Sequence, residues 1–255
     1  MALAWDTQLM CPRSGAQIKT SSENTMHALD NVIWQALITR QARFAEISDR
    51  ARRFVHEVSP LAGFEEPNDN GYASLSKLVG AGTTAAVFLD IPYSQRSGWE
   101  FVVGAPLLQM VAEKPAGSTS SNGYELLELG PADSPEMLAL TALTKPGPFG
   151  TRTHELGTYI GLRQEGKLVA MAGERLKVPG YTEISAVCTH PEHNGKGYAG
   201  LLMTEIMHRI RDRGETAFLH VRQDNARAIT LYERLGFQAR KLLHFAVLRN
   251  VKGNS

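Results

Sequence analysis

Residues 181–189, Tyr-Thr-Glu-Ile-Ser-Ala-Val-Cys-Thr, alternate with a period of two, which predicts a strand. Ile184, Ala186 and Cys188 then share one face, and Glu183, Ser185, Val187 and Thr189 the other. Past residue 197 the period changes: Leu201, Leu202, Ile206, Met207 and Ile210 recur at helical spacing, and Gly214 closes that helix after Arg211 and Arg213. Residues 216–221, Thr-Ala-Phe-Leu-His-Val, form another short β run, so the unit reads strand, turn, helix, strand: a βαβ crossover. Upstream, residues 124–129 predict a strand, and a helix starts near residue 133 with Ser134 as cap and Pro135 at its first position. A Pro/Gly loop at 145–150 leads to strands 158–163 and 167–173, with Gln164-Glu-Gly166 as the hairpin turn. In the first half, residues 25–56 have amphipathic helical spacing, and residues 84–89 and 99–103 predict strands. Residues 113–123 are rich in Ser, Gly and Pro, as linkers are, and divide the chain into a small α/β unit over 1–123 and a second unit over 124–255.

The turn of the crossover carries the chemistry. Between strand and helix stands His190-Pro-Glu-His-Asn-Gly-Lys-Gly-Tyr-Ala-Gly200, where Gly195, Gly197, Ala199 and Gly200 leave little side chain between a ligand and the backbone. The helix that follows opens with unpaired N–H groups and the positive end of its dipole, which suit a pyrophosphate. The turn also lies at the carboxyl end of its strand, where open α/β sheets bind ligands. A Rossmann dinucleotide site competes, because Gly195, Gly197 and Gly200 satisfy GxGxxG, but the next strand ends in Arg222 where that site places an acid. No Gly-Lys-Ser/Thr is present for a Walker loop. Leu78-Val-Gly-Ala-Gly82 precedes a β run and reads as a plain loop.

These residues resemble the GCN5-related N-acetyltransferases (GNAT), in particular the glycine N-acyltransferase-like, FR47-like branch. The acyl-CoA signature of that family, Arg or Gln, two residues, Gly, one residue, Gly or Ala, is matched by Asn194-Gly-Lys-Gly197-Tyr-Ala199, with Asn194 in the Arg/Gln place. A second signature, an Asn followed by an apolar helix ending in Tyr and then Gly-Phe, is matched from Asn225 through Tyr232 to Gly236-Phe237. The resemblance covers residues 124–250. It implies an α/β fold with a mixed, splayed sheet flanked by helices, preceded by a degenerate copy of the fold or a lid-like extension that shapes the acceptor site.

The resemblance further implies acyl transfer from acetyl-CoA, the acyl donor, to a primary amine, with no metal. Backbone N–H groups of Gly195, Lys196, Gly197, Tyr198 and Ala199, beside Asn194, would hold the pyrophosphate. Val187, Cys188 and Thr189 would offer a strand edge to pantetheine, and the N–H of Val187 would face the thioester carbonyl. Asn225 is a helix cap, a pantetheine contact, or both. Tyr232 stands where the family places the acid for the departing thiolate, and its alternative is one more apolar-face residue beside Ile229 and Leu235. Glu183 matches the glutamate base of the histone acetyltransferase branch. Four residues of strand separate it from Val187, about 13 Å when extended, so it needs a water relay. His220 on the neighbouring strand is the rival base. Phe149, Arg152 and His154 are candidates for acceptor contact. A non-catalytic acyl-CoA sensor is the alternative class.

Composition narrows the partners. The 255 residues carry a formal net charge of +1 and no Lys/Arg block, which argues against nucleic acid or an anionic membrane as partner and leaves a small-molecule or peptide amine. The start, Met1-Ala-Leu-Ala-Trp-Asp, turns polar too soon for a signal peptide, and no apolar run approaches membrane length, so the cytoplasm is expected. The two cysteines, Cys11 and Cys188, are too far apart in sequence to suggest a disulfide framework, and Cys188 reads as a small buried hydrophobe. Acceptor identity and oligomeric state are not legible.

Overall fold

A computed structural model describes residues 27–113 and 123–251. The polar start of the chain, Cys11 and most of the 113–123 linker lie outside the described residues. In chain order the elements are α1 (Val32–Ile38), β1 (Ala45–Ser48), β2 (Ala51–Phe54), β3 (Ala62–Phe64), α2 (Asp69–Leu78), β4 (Thr84–Leu89), β5 (Trp99–Ala112) and β6 (Leu127–Leu129). There follow α3 (Ser134–Thr144), β7 (Tyr159–Gln164), β8 (Lys167–Val178), β9 (Tyr181–Thr189), α4 (Tyr198–Asp212), β10 (Thr216–Arg222), α5 (Ala226–Arg234) and β11 (Phe237–Asn250).

An eight-stranded mixed sheet runs in the order β4-β11-β5-β10-β9-β8-β7-β6, and β1, β2 and β3 form a small second sheet. The α/β class with a mixed, splayed sheet is therefore the observed one. The boundary expected near residue 123 does not separate two sheets, because β5 from the first half lies between β10 and β11 from the second and pairs with both. Strand β4 completes the edge by pairing with β11. Only α1, α2 and the small sheet stand apart from the large one, and α1 packs onto it through Leu29, Val32, Ile33 and Leu37 against Leu176, Val178 and Phe218.

The amphipathic stretch 25–56 is helical only over Val32–Ile38; β1 and β2 form a hairpin over its second part, with Asp49 at φ 35° in the turn. Phe44, Ala51 and Phe54 are seven and three residues apart, so a helix gives the same pattern as a 3-10 turn holding Phe44 followed by β2 holding the other two.

Two apolar layers cover the large sheet. On one face α4 buries Leu202, Met203, Ile206 and Ile210 against Ile160, Val169, Leu219 and Val221. On the other, Leu29, Leu61, Phe218 and their neighbours form a second cluster, and α3 closes a third with Met137 and Leu140 against Tyr159 and Met171. Burying each large aliphatic side chain stabilises by about 1.5–3 kcal/mol, so these layers fix the strand ends where the ligand cleft forms.

Candidate active site

The cleft opens where β9 and β10 part. They pair in parallel only from Thr216↔Tyr181 to Phe218↔Glu183, after which β10 stays with β5 as far as Arg222↔Leu107 and β9 stays with β8. Beyond the parting, β9 bulges. Its partners on β8 step from Gly173↔Ser185 to Met171↔Cys188, and Ala186 takes a left-handed φ of 52°. The bulge breaks the expected alternation: Ile184 and Val187 pack toward α4, whereas Ala186 and Cys188 join the α3 cluster. Glu183 and Val187 thus do not share a face.

At the end of β9 a short 3-10 turn over Pro191–His193 leads to Gly195 and Gly197, both at φ 81° with open space where a Cβ would stand. Helix α4 begins at Tyr198 with Gly197 as its N-cap and no side-chain cap, so its first N–H groups are left for a ligand. A side chain at either glycine would be strained and would project into the cradle. That observation makes the turn fit a diphosphate. The cleft, about 900 Å³, is lined by every residue expected to bind acetyl-CoA except Lys196, and by Tyr232 and His220, but not by Glu183. Lys196 turns its amine 3.2 Å from His193 Nδ1 on the exposed side. Cys188 is 6% exposed, and burial pushes its thiol up to about 11, which leaves no thiolate nucleophile.

Glu183 is fully buried, and its carboxylate is saturated with donors. Oε1 accepts from Arg175 Nη2 at 2.6 Å and from His220 Nδ1 at 2.7 Å; Oε2 accepts from Arg175 Nε at 2.8 Å and from the Leu176 N–H at 3.2 Å. Burial alone would raise its pKa, but the Arg175 charge and hydrogen bonds, then His220, outweigh burial and hold it at about 2. The four lone-pair directions of Glu183, the expected base, are thus occupied, and Glu183 does not line the cleft. The cause is a second bulge, in β8, where Arg175 and Leu176 oppose the single residue Glu183. Gln41, 2% exposed, plugs this bulge by donating to Arg175 O at 2.7 Å and accepting from Lys177 N at 3.1 Å.

His220 does reach the cleft. Because the carboxylate of Glu183 can only accept, Nδ1 carries the ring proton. Gln109, fully buried on β5, has its amide oriented by Arg240 Nη1, which donates to Oε1 at 2.7 Å, and by its own Nε2–H bond to Leu29 O at 3.0 Å. Its Nε2 lies 3.1 Å from His220 Nε2, so with Nδ1 protonated that imidazole nitrogen accepts the Gln109 N–H.

Tyr232 both lines the cleft and packs on the α4 layer, 6.2 Å from Phe237 edge to face. Burial pushes the phenol up to about 12, keeping its proton in place at neutral pH. Asn225 caps α5, its Oδ1 accepting from the Ala228 N–H at 3.1 Å, and also borders the cleft. Phe149, Arg152 and His154 do not line it: Phe149 stacks edge to face on Tyr159 at 5.7 Å, and Arg152 pairs with Glu155 at 2.7 Å. The preceding residues Lys145–Pro148 supply that wall instead, with Phe88, Ala105 and Leu107 from β4 and β5 opposite.

A solved putative acetyltransferase from the GNAT family of Novosphingobium aromaticivorans is 36% identical, superimposes with a TM-score of 0.82, and is matched over 89% of this chain and 100% of its own. The chain belongs to the GCN5-related N-acetyltransferase family. Within it, residues 159–245 match the family described as FR47-like protein. Among curated relatives, the N-alpha-acetyltransferase RimI of Mycobacterium tuberculosis is 36% identical over 100 residues, 36% of this chain and 62% of that protein. A mycothiol acetyltransferase of Mycobacteroides abscessus is 27% identical over 182 residues, 62% of each chain. The chain thus spans less than two thirds of these two curated relatives.

For this N-acetyltransferase-family member, sequence reasoning missed Arg175, Gln109, Phe88 and Phe245. A signal existed for Gln109. It is the single polar position in the run Leu107-Leu-Gln-Met-Val111, and a polar group in a buried strand demands a partner.

Proposed function

We propose that the protein transfers an acetyl group from acetyl-CoA to a primary amine, with His220 as the proton acceptor and Tyr232 as the proton donor. Bound acetyl-CoA supplies the thioester to be attacked. The N–H groups from Gly195 to Ala199 hold its pyrophosphate, and Arg227 and Arg234, which border the cleft on α5, add positive charge. The Val187 N–H, in the β9 bulge, donates to the carbonyl oxygen as negative charge develops there.

His220 Nε2 takes the proton of the incoming ammonium. Access means exchanging the Gln109 N–H for an ammonium N–H, one donor for another, while Gln109 keeps its bond to Leu29 O. Glu183 holds the ring in this tautomer and stabilises the imidazolium that forms; it is a positioning residue. Tyr232 then gives its phenolic proton to the departing thiolate, and the second proton that the nitrogen sheds as the amide forms restores the phenol. The observation that carries this reading is the imidazole of His220, held by Glu183 and Gln109 at the parting of β9 and β10, in one cleft with the glycine cradle and Tyr232. The cytoplasm, where acetyl-CoA is available, is the compartment it implies.

The relatives are named as an N-alpha-acetyltransferase and a mycothiol acetyltransferase, which supports acetyl transfer and leaves the acceptor open. The test is release of free CoA when the protein and acetyl-CoA meet a panel of amines. No amine-dependent release, with acetyl-CoA binding intact, would remove the transferase reading.

A further inference from the structure

The acceptor side of the cleft is built from apolar side chains and lacks any acid. Phe88, Phe245 and Ala105 are direct cross-strand neighbours on β4, β11 and β5, so they form one continuous row on a single face of the sheet. Leu107, two residues along β5, extends the row toward β10, and Leu61 closes it from the segment before β3. The row runs up to the proposed base: the rings of Phe88 and His220 have centroids 4.6 Å apart, and those of Phe88 and Phe245 6.2 Å. Side chains separated by two residues of strand, or directly opposed across it, cover the same patch.

Charge in the cleft has one sign. Among the described residues no Asp or Glu lines it, while Lys145, Arg175, Arg222, Arg227 and Arg234 do. Arg175 shares the Glu183 carboxylate with His220, and its charge is already matched there. An acceptor with a second ammonium would therefore bring an unpaired cation against apolar walls and like charges, with no carboxylate to meet it.

Resting on the proposed transferase reading, we infer that the acceptor is a primary amine carried on an apolar, aromatic-sized body with no second positive charge. The amine meets His220, and the body lies along Phe88, Phe245, Ala105 and Leu107. Two sources share this chemistry, a small arylalkylamine and a peptide whose first residue is aromatic. Polyamines and lysine-rich peptides are excluded by the same walls.

The test measures kcat/KM of the full chain with acetyl-CoA and five acceptors: 2-phenylethylamine, ethylamine, spermidine, and two short peptides, one beginning with Phe and one with Lys. The expected result is a preference of at least about a hundredfold for 2-phenylethylamine or the Phe peptide over spermidine and the Lys peptide; which of the two favoured acceptors leads identifies the source. Ala105→Leu narrows the row beside Phe245, and is expected to lower the ratio of 2-phenylethylamine to ethylamine efficiency by about tenfold. Spermidine or the Lys peptide acetylated as efficiently as the aromatic amines overturns the acceptor class while leaving the transferase reading intact. An unchanged ratio in Ala105→Leu overturns the placement of the body on this row. Transfer to none of the amines, with acetyl-CoA bound, overturns both.

Discussion

His220 Nδ1 donates to Glu183 Oε1 at 2.7 Å, and the same oxygen accepts from Arg175 Nη2 at 2.6 Å. One buried carboxylate thus neutralises a guanidinium and fixes an imidazole. The acid on β9 is the anchor of the pair, and the histidine on β10 is the group that reaches the cleft. Removing either partner has a different expected outcome.

His220→Gln keeps a side chain of similar size but no proton acceptor near neutral pH. Its kcat is expected to fall by about 10²–10⁴-fold at pH 7, with partial recovery as pH rises and more of the amine is free. Acetyl-CoA affinity stays near that of wild type, since His220 touches only the acceptor side. A pH–rate profile unchanged from wild type would return the proton acceptor's role to solvent. In Glu183→Gln the loss is first one of folding, because Arg175, 8% exposed, is left without its counter-charge. Breaking such a buried pair costs about 3–5 kcal/mol, read as a lower urea midpoint.

The same ion pair sets a pH window for stability. An ordinary glutamate titrates near 4.5, whereas Glu183 in the folded chain titrates at about 2. The folded state favours the carboxylate, so the contribution is fully present above pH 4.5 and is lost as pH falls through 2. Its size is of order 3 kcal/mol. Glu174 adds in the same direction: burial raises its pKa, but Lys177 and Arg213 outweigh it and hold the carboxyl below its ordinary value. Urea midpoints measured from pH 6 to pH 2 should fall steeply below pH 4.5 in wild type and less steeply in Arg175→Met/Glu183→Leu, which removes both charges. Parallel curves would place the acid sensitivity elsewhere.

Gly197, at φ 81° with nothing within 4 Å of a built Cβ, is the most direct probe of the cradle. Gly197→Glu adds left-handed strain of about 1 kcal/mol and sets a carboxylate where the pyrophosphate is proposed to lie. Acetyl-CoA at a hundred times its Kd stabilises wild type by about 2.7 kcal/mol; the variant is expected to show no ligand-dependent rise in Tm. A full thermal shift in folded Gly197→Glu would move the cofactor site away from this turn.

Much of this architecture is legible in the chain, and the illegible parts have physical causes. The crossover from 181 to 221 is local, and its change of period from two to 3.6 around a glycine turn marks each element. The place of β5 is not local. It pairs with strands that follow it by more than a hundred residues, and nothing in its own pattern tells an edge ribbon from a central strand. The surroundings of Glu183 are hidden for another reason. Strand alternation assigns faces only while the period holds, and bulges in both β8 and β9 shift the register around it. The imidazole of His220 looked like any lone strand histidine until Gln109 and Glu183 were seen on its two nitrogens.

Tyr232 offers the sharpest separation of packing from chemistry. Its ring is held by the α4 layer and by Phe237, so Tyr232→Phe keeps the packing and removes only the hydroxyl. With burial pushing the phenol up to about 12, the wild-type group stays protonated across neutral pH. A donor this weak suits a thiolate formed in the same water-poor cleft, whose own basicity is raised by desolvation. If the proton comes from Tyr232, kcat in Tyr232→Phe is expected to drop by about a hundredfold, with Tm and acetyl-CoA affinity near wild type. The deficit should shrink with acyl donors whose leaving thiol is more acidic, because such a thiolate departs without needing the proton. Equal deficits across a series of leaving thiols, or wild-type turnover with chemistry shown to be rate-limiting, would leave Tyr232 as a packing residue and require another donor at the cleft.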